Sequence, residues 1–263
     1  MRKYLSFARA GYLENVVYRF NFFFTLIANV FYIVVMYFLW RSIYGSRETL
    51  RGMTFDQVFA YMVLAGSTFI LYKTYIEWWV SFFVVQGTIA TQLTRPVDFE
   101  LHLLFRSLGF AFFNFTMVTL PAFLLLVFAF RADIPLGFNL LFGAASMALA
   151  YLLSFAIDFT VGLSSFRTES IWGLSMTKEI IVMVLSGAMI PLNFFPEGLR
   201  NVLLFLPFQA IFNIPLTIFT NPALRLPDYL SMLGIQLFWV AAIIGISRLL
   251  YARAIRTLTV NGG

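Results

Sequence analysis

The sequence predicts an all-α integral membrane protein. The expected architecture is six transmembrane helices with an N-terminal interfacial helix, a short cytosolic helix between spans two and three, and a re-entrant helical hairpin before span six. Three observations predict it. The chain is 61% apolar and only 11% charged, where soluble domains average about 45–50% and about 25%. Its mean hydropathy is +0.86. The apolar residues also fall into runs near the ~20 residues needed to cross a bilayer, separated by short polar turns.

Residues 1–20 place Tyr4, Leu5, Ala8, Tyr12, Val16 and Phe20 at helical spacing, with Arg2, Lys3, Arg9, Glu14 and Arg19 elsewhere. This pattern favours a basic helix lying in the interface over a plain solvated one. No apolar core ending in a cleavage site is present there, so no cleavable signal is expected. The first span covers residues 22–44 and ends on Trp40, Arg41 and Tyr44. The second runs over 55–83, longer than a bilayer requires, so its lower end is expected to project.

A polar turn over residues 86–100 follows, with an Arg95-Pro96 stop and Asp98 and Glu100 just after. The third span is expected at 106–130, the fourth at 138–159 after a loop at 131–137, and the fifth at 171–190 after a second polar turn at 164–170. Residues 191–228 hold six of the nine prolines among apolar runs too short to cross. Two short helices, at 198–205 and 209–219, are expected to dip into the membrane and return. Such backbone is tolerated at membrane depth only where protein or water surrounds it. The sixth span is expected at 229–251, followed by a basic tail.

Charge orients this topology. With both termini in the cytosol, the inner segments carry Arg2, Lys3, Arg9, Arg19, Arg95, Arg106, Arg167, Arg248, Arg253 and Arg256. The outer ones carry the smaller set Arg41, Arg47, Arg51, Arg131, Arg200 and Arg225, in keeping with the positive-inside rule. The net charge of +6 then reports loops facing anionic lipid, and no nucleic-acid partner is expected. No loop is long enough for a soluble unit, so residues 1–263 read as a single transmembrane domain. One half does not repeat in the other, which argues against an inverted-repeat carrier.

Catalytic signatures are absent. The chain has no Cys and one His, His102, which excludes a disulfide, a thiolate or His-cluster metal site and a cysteine nucleophile; no metal is expected. No Gly is followed by Lys anywhere, so there is no Walker A loop and the chain does not hydrolyse ATP by itself. Ionisable residues inside spans are costly and face protein or water. Lys73, Glu77, Asp158, Lys178 and Glu179 are of this kind and fall toward the inner boundary. A structural ion-pair network is favoured over a proton or cation relay, since acids and bases nearly balance. Asn114 reads either as an interhelical donor or as a cavity-lining residue. The pairs Ala144/Ala148, Ser146/Ala150 and Ala241/Gly245 permit close helix approach. Trp78, Trp79 and Phe22–Phe24 read as lipid-facing anchors.

The order of these elements resembles the membrane subunit of an ABC-2 type ABC transporter, more narrowly the bacterial ABC-2 permeases of about this length. The matching stretches are 87–98, the turn from Phe166 to Gly173, the Pro191-Leu192-Asn193-Phe194-Phe195-Pro196 segment and the Gly262-Gly263 end. The resemblance implies a permease in the bacterial inner membrane, moving substrate outward. It pairs with a second, identical or related permease subunit and a separate ABC ATP-binding subunit. ATP and Mg would be bound by that partner, with no cofactor on this chain. Gly87, Thr88, Thr91, Gln92 and Arg95 would belong to a coupling helix docked on the ATPase, with Arg167 and Glu169 beside it. Spans two and five would line the path, making Phe69, Tyr72, Asn114, Met176 and Met183 candidates, and the hairpin would gate it. The 33 phenylalanines suit a hydrophobic or amphipathic cargo, and suit contact with membrane lipid equally well. A stand-alone ion-coupled carrier is the alternative, and a membrane-embedded enzyme a third.

Overall fold

The computed structural model describes residues 2–17, 19–131 and 137–256. Most of the expected loop between spans three and four, the Phe20 and Phe22 side chains, and the Gly262-Gly263 end lie outside the described residues. Among the described residues, five helices or runs of consecutive helices are long and apolar enough to cross a membrane: Phe23–Tyr44, Phe55–Val85, Phe99–Phe128, Phe138–Phe166 and Leu226–Arg256.

Helix α1 (Arg2–Val17) runs lengthwise along α6 (Phe99–Asn114). Tyr4 meets Phe105, Phe7 meets His102, and Tyr12 meets Phe113. The packed face therefore includes Phe7 and Gly11, while Leu5 and Val16, expected on it, are exposed. Glycines decide this rotation. A Cβ at Gly109 would overlap the Ala8 carbonyl, and one at Gly11 would overlap the Arg106 carbonyl, so the two backbones touch where side chains are missing.

Helix α2 (Arg19–Tyr44) leads through a small hairpin, β1 (Thr49–Leu50) with β2 (Met53–Thr54), into α3 (Phe55–Tyr72). Thr54 and Gln57 form a capping box at its start, satisfying two otherwise orphaned donors. The expected continuous span two is broken. Lys73, Thr74 and Tyr75 interrupt it, with Tyr75 in the left-handed region at φ 55°, and α4 (Ile76–Val85) resumes below. The break persists because its polar groups find partners: Ser154 donates to the Tyr72 carbonyl at 2.9 Å, and Thr74 bonds Asp158 at 2.5 Å.

After α5 (Ile89–Leu93), α6 starts at Phe99, seven residues before the expected start of span three. Asp98 sets that start by accepting the Leu101 N–H at 2.9 Å, as an N-cap does. A wide turn at Phe115–Thr119 joins α6 to α7 (Leu120–Phe128). Pro121 lacks an N–H and its ring would strike the carbonyl one turn back; the wider turn accommodates it.

Helix α8 (Phe138–Gly162) ends in a tight turn at Leu163–Phe166. Helix α9 (Trp172–Leu185) has 14 residues, about 21 Å, shorter than the ~30 Å hydrocarbon layer and than the expected fifth span. The chain then turns at Gly187, whose carbonyl accepts the Tyr61 hydroxyl at 3.0 Å. Helices α10 (Glu197–Phe205) and α11 (Asn213–Thr220) follow. Helix α11 is buried against α3 and α8, whereas α10 leaves Val202 and Phe205 exposed. Helix α12 (Leu226–Arg256) closes the fold against α8.

Candidate functional site

Both polar turns rest on one apolar cluster. Ile89 and Leu93 of α5 join Phe83 of α4, Phe99 and Leu103 of α6, Phe159 of α8, Leu163 and Phe166 of the second turn, and Tyr251 of α12. Two turns about 75 residues apart in sequence thus share one end of the molecule with the C-terminal part of α12. The cluster's apolar faces point inward, which leaves the polar residues outside. Thr88, Thr91, Arg95, Arg167 and Glu169 are exposed, and Gln92 is half-buried. Gly87 is exposed at φ +69°, with open space where a side chain would project. Thr91 donates to the Thr88 carbonyl at 2.7 Å, which stiffens α5 locally.

An ion cluster fastens this end. Arg248 of α12 grips Asp98 with both terminal nitrogens, at 2.7 and 3.2 Å, and its Nε lies 2.6 Å from Glu100 Oε2. Bidentate pairs of this kind fix orientation as well as charge. Ser247 adds a 3.3 Å bond to the other Glu100 oxygen. Burial pushes the Asp98 carboxyl up, but the Arg248 bonds and the Leu101 N–H outweigh it and hold the carboxyl below its ordinary range. This clamp was not anticipated from sequence. Asp98 and Glu100 read as the end of the polar turn and Arg248 only as a basic inner residue. An acidic pair flanking the first residue of a helix was the available signal.

The five ionisable residues expected within spans lie farther from the polar turns. Lys178 reaches Asp158 at 2.6 Å and Glu77 at 2.9 Å, and Lys73 reaches Glu179 at 2.7 Å. Ser175 donates to Glu77 at 3.0 Å. These five residues tie the α3–α4 break, α8 and α9 together. Beside them lies a small cavity of about 40 Å³ lined by Phe69, Tyr72, Asp158, Lys178 and Glu179, among others. A larger one, about 450 Å³ between α2, α3 and α9, is lined by Phe69 and Met183. Asn114, buried on α6, and Met176, half-buried on α9, line neither. His102 is buried against Phe7, and Trp79 stacks under Arg106 at 4.5 Å.

A multi-pass helical membrane protein with its polar turns gathered at one end is the class these features define. The family model described as an ABC-2 family transporter protein matches residues 20–262, and the chain belongs to that family. It is accordingly the permease component of an ABC transporter, working with an ABC ATP-binding subunit rather than as a stand-alone ion-coupled carrier, and is not itself an ATPase. No curated protein matches the chain.

Proposed function

We propose that this permease belongs to an exporter of a hydrophobic or amphipathic substrate, and that residues 87–95 form the coupling helix that receives the stroke of its ATPase. Arg167 and Glu169 form the second part of that docking surface. The observation that carries this reading is the shared apolar cluster beneath both turns, because it joins them to α4, α6, α8 and α12 as one body. A push on α5 then moves four helices rather than one loop. ATP and Mg are held by the partner subunit.

Both termini face the cytosol of a bacterium, in its inner membrane, and two permease chains pair there. Helix α9 with the segment following it completes a sixth crossing, and α10 and α11 form the outer hairpin that gates the path. The buried environment of α11 supports its lying at membrane depth. Phe69 and Met183, on one cavity wall, are the stronger path candidates; Tyr72 lines the smaller cavity, and Asn114 and Met176 are candidates from the resemblance alone.

Arg95 is an exposed cation on the docking face, suited to a carboxylate on the ATPase. In proteoliposomes holding the permease and its ATPase, Arg95→Glu reverses that charge. It should lower transport-linked ATP hydrolysis about tenfold, the effect of losing ~1.4 kcal/mol of docking energy, with normal membrane insertion. Hydrolysis and export at the native rate would overturn the coupling assignment.

A further inference from the structure

Helices α6–α7 and α8 follow one another in the chain, meet at the polar-turn end, where Phe99 packs on Phe159, and part beyond it. There they pack on α1, α3, α11 and α12 instead, and leave between them a cavity of about 970 Å³. Its lining on the α6–α7 side runs from Leu108 to Phe123, about 22 Å at 1.5 Å per residue, so it extends along the membrane normal through more than half of a ~30 Å hydrocarbon layer. The wall is almost wholly apolar. The open side lies between Phe112 and Leu120 on one helix and Ala144 and Ala148 on the other, all four exposed.

One end of the cavity differs. Arg9 and Tyr12 of α1 line it there, on the side of the polar turns, since α1 begins beside Asp98. Arg9 is exposed and forms no salt bridge among the described residues. An unpaired cation at the mouth of a long apolar slot is complementary to an anionic headgroup followed by acyl chains. The volume falls within the ~300–1,000 Å³ of ligand sites.

We propose that this cavity is a binding site for a resident anionic membrane phospholipid, its acyl chains between α7 and α8 and its phosphate on Arg9. The site is separate from the cavities beside Phe69, and the proposal does not rest on the coupling reading. The lipid fills a gap that two diverging spans would otherwise leave open, and so acts as a packing element of the fold.

The test uses the permease with its ATPase, reconstituted in mixed phosphatidylglycerol and phosphatidylcholine, extracted into detergent, and weighed intact by native mass spectrometry. The expected result is a single phosphatidylglycerol retained per permease chain in preference to phosphatidylcholine. Arg9→Gln should lower that retention about fivefold, the worth of one cation near a membrane surface. Ala148→Phe, which fills the slot, should reduce retention of either lipid. No retained lipid, equal retention of the two lipids, or indifference to both substitutions would overturn the site. Loss of the bound lipid on adding ATP and Mg would make it cargo, and would overturn its residence.

Discussion

Lys178 is one ammonium group shared by two buried carboxylates, Glu77 and Asp158, whose side chains are 4% and 5% exposed. Removing one partner of a buried pair leaves uncompensated charge, which costs about 3–5 kcal/mol. Lys178→Met should therefore lower the thermal stability of the detergent-solubilised protein by that order, and adding Asp158→Asn should restore part of it. A single variant that melts like the native protein would refute the clamp. Asp98 behaves differently. Its folded-state carboxyl is held below the ordinary range, so its contribution is complete above about pH 4 and is lost as pH falls through the lower folded value. As pH falls below about 4, the native protein should lose stability more steeply than Asp98→Asn; parallel melting profiles would count against the Arg248 clamp. Lys73, Glu77, Asp158, Lys178 and Glu179 were legible as a set because charged residues are rare in an apolar chain. Their pairing was not, since Lys178 meets residues 20 and 101 positions away.

At the scale of elements, composition located the long apolar helices and missed where two of them begin or break. Span two reads as one overlong helix, but Lys73-Thr74-Tyr75 interrupts it, and Ser154 and Asp158 supply the partners that let it do so. Displacement of α4 therefore reaches α8 and α9 through side-chain bonds as well as along the helix axis. Span three begins at Phe99 because Asp98 caps it, a signal present in the sequence but masked by the polarity of Glu100 and Arg106. Helix α1 is amphipathic by sequence, yet its buried face is chosen by Gly11 and Gly109. Gly109→Val should dislodge α1 from α6, with an overpacking cost of about 1–3 kcal/mol, and raise amide exchange across residues 2–17 while leaving α12 protected. Unchanged exchange in α1 would refute the close packing.

At the scale of the molecule, the two polar turns and the C-terminal part of α12 share one end, and the hairpin at Thr49–Thr54 belongs to the other end of α3. The chain has no native cysteine, so single substitutions can be labelled without background. Arg47→Cys should react with an impermeant maleimide in intact cells, and Thr91→Cys only after the membrane is opened; the reverse pattern would invert the proposed orientation. The sequence by itself determined that the protein is a helical membrane protein, where its apolar runs lie, and which stretches carry the family resemblance. Those depend on composition over windows of about 20 residues, and transfer into a bilayer is a nearly local property. Only the tertiary structure decided which charges meet, that both turns stand on one cluster, and that α7 and α8 part around a cavity. These depend on helix rotation, where one residue of register turns a side chain by about 100°, and no local pattern in an almost uniformly apolar helix specifies it.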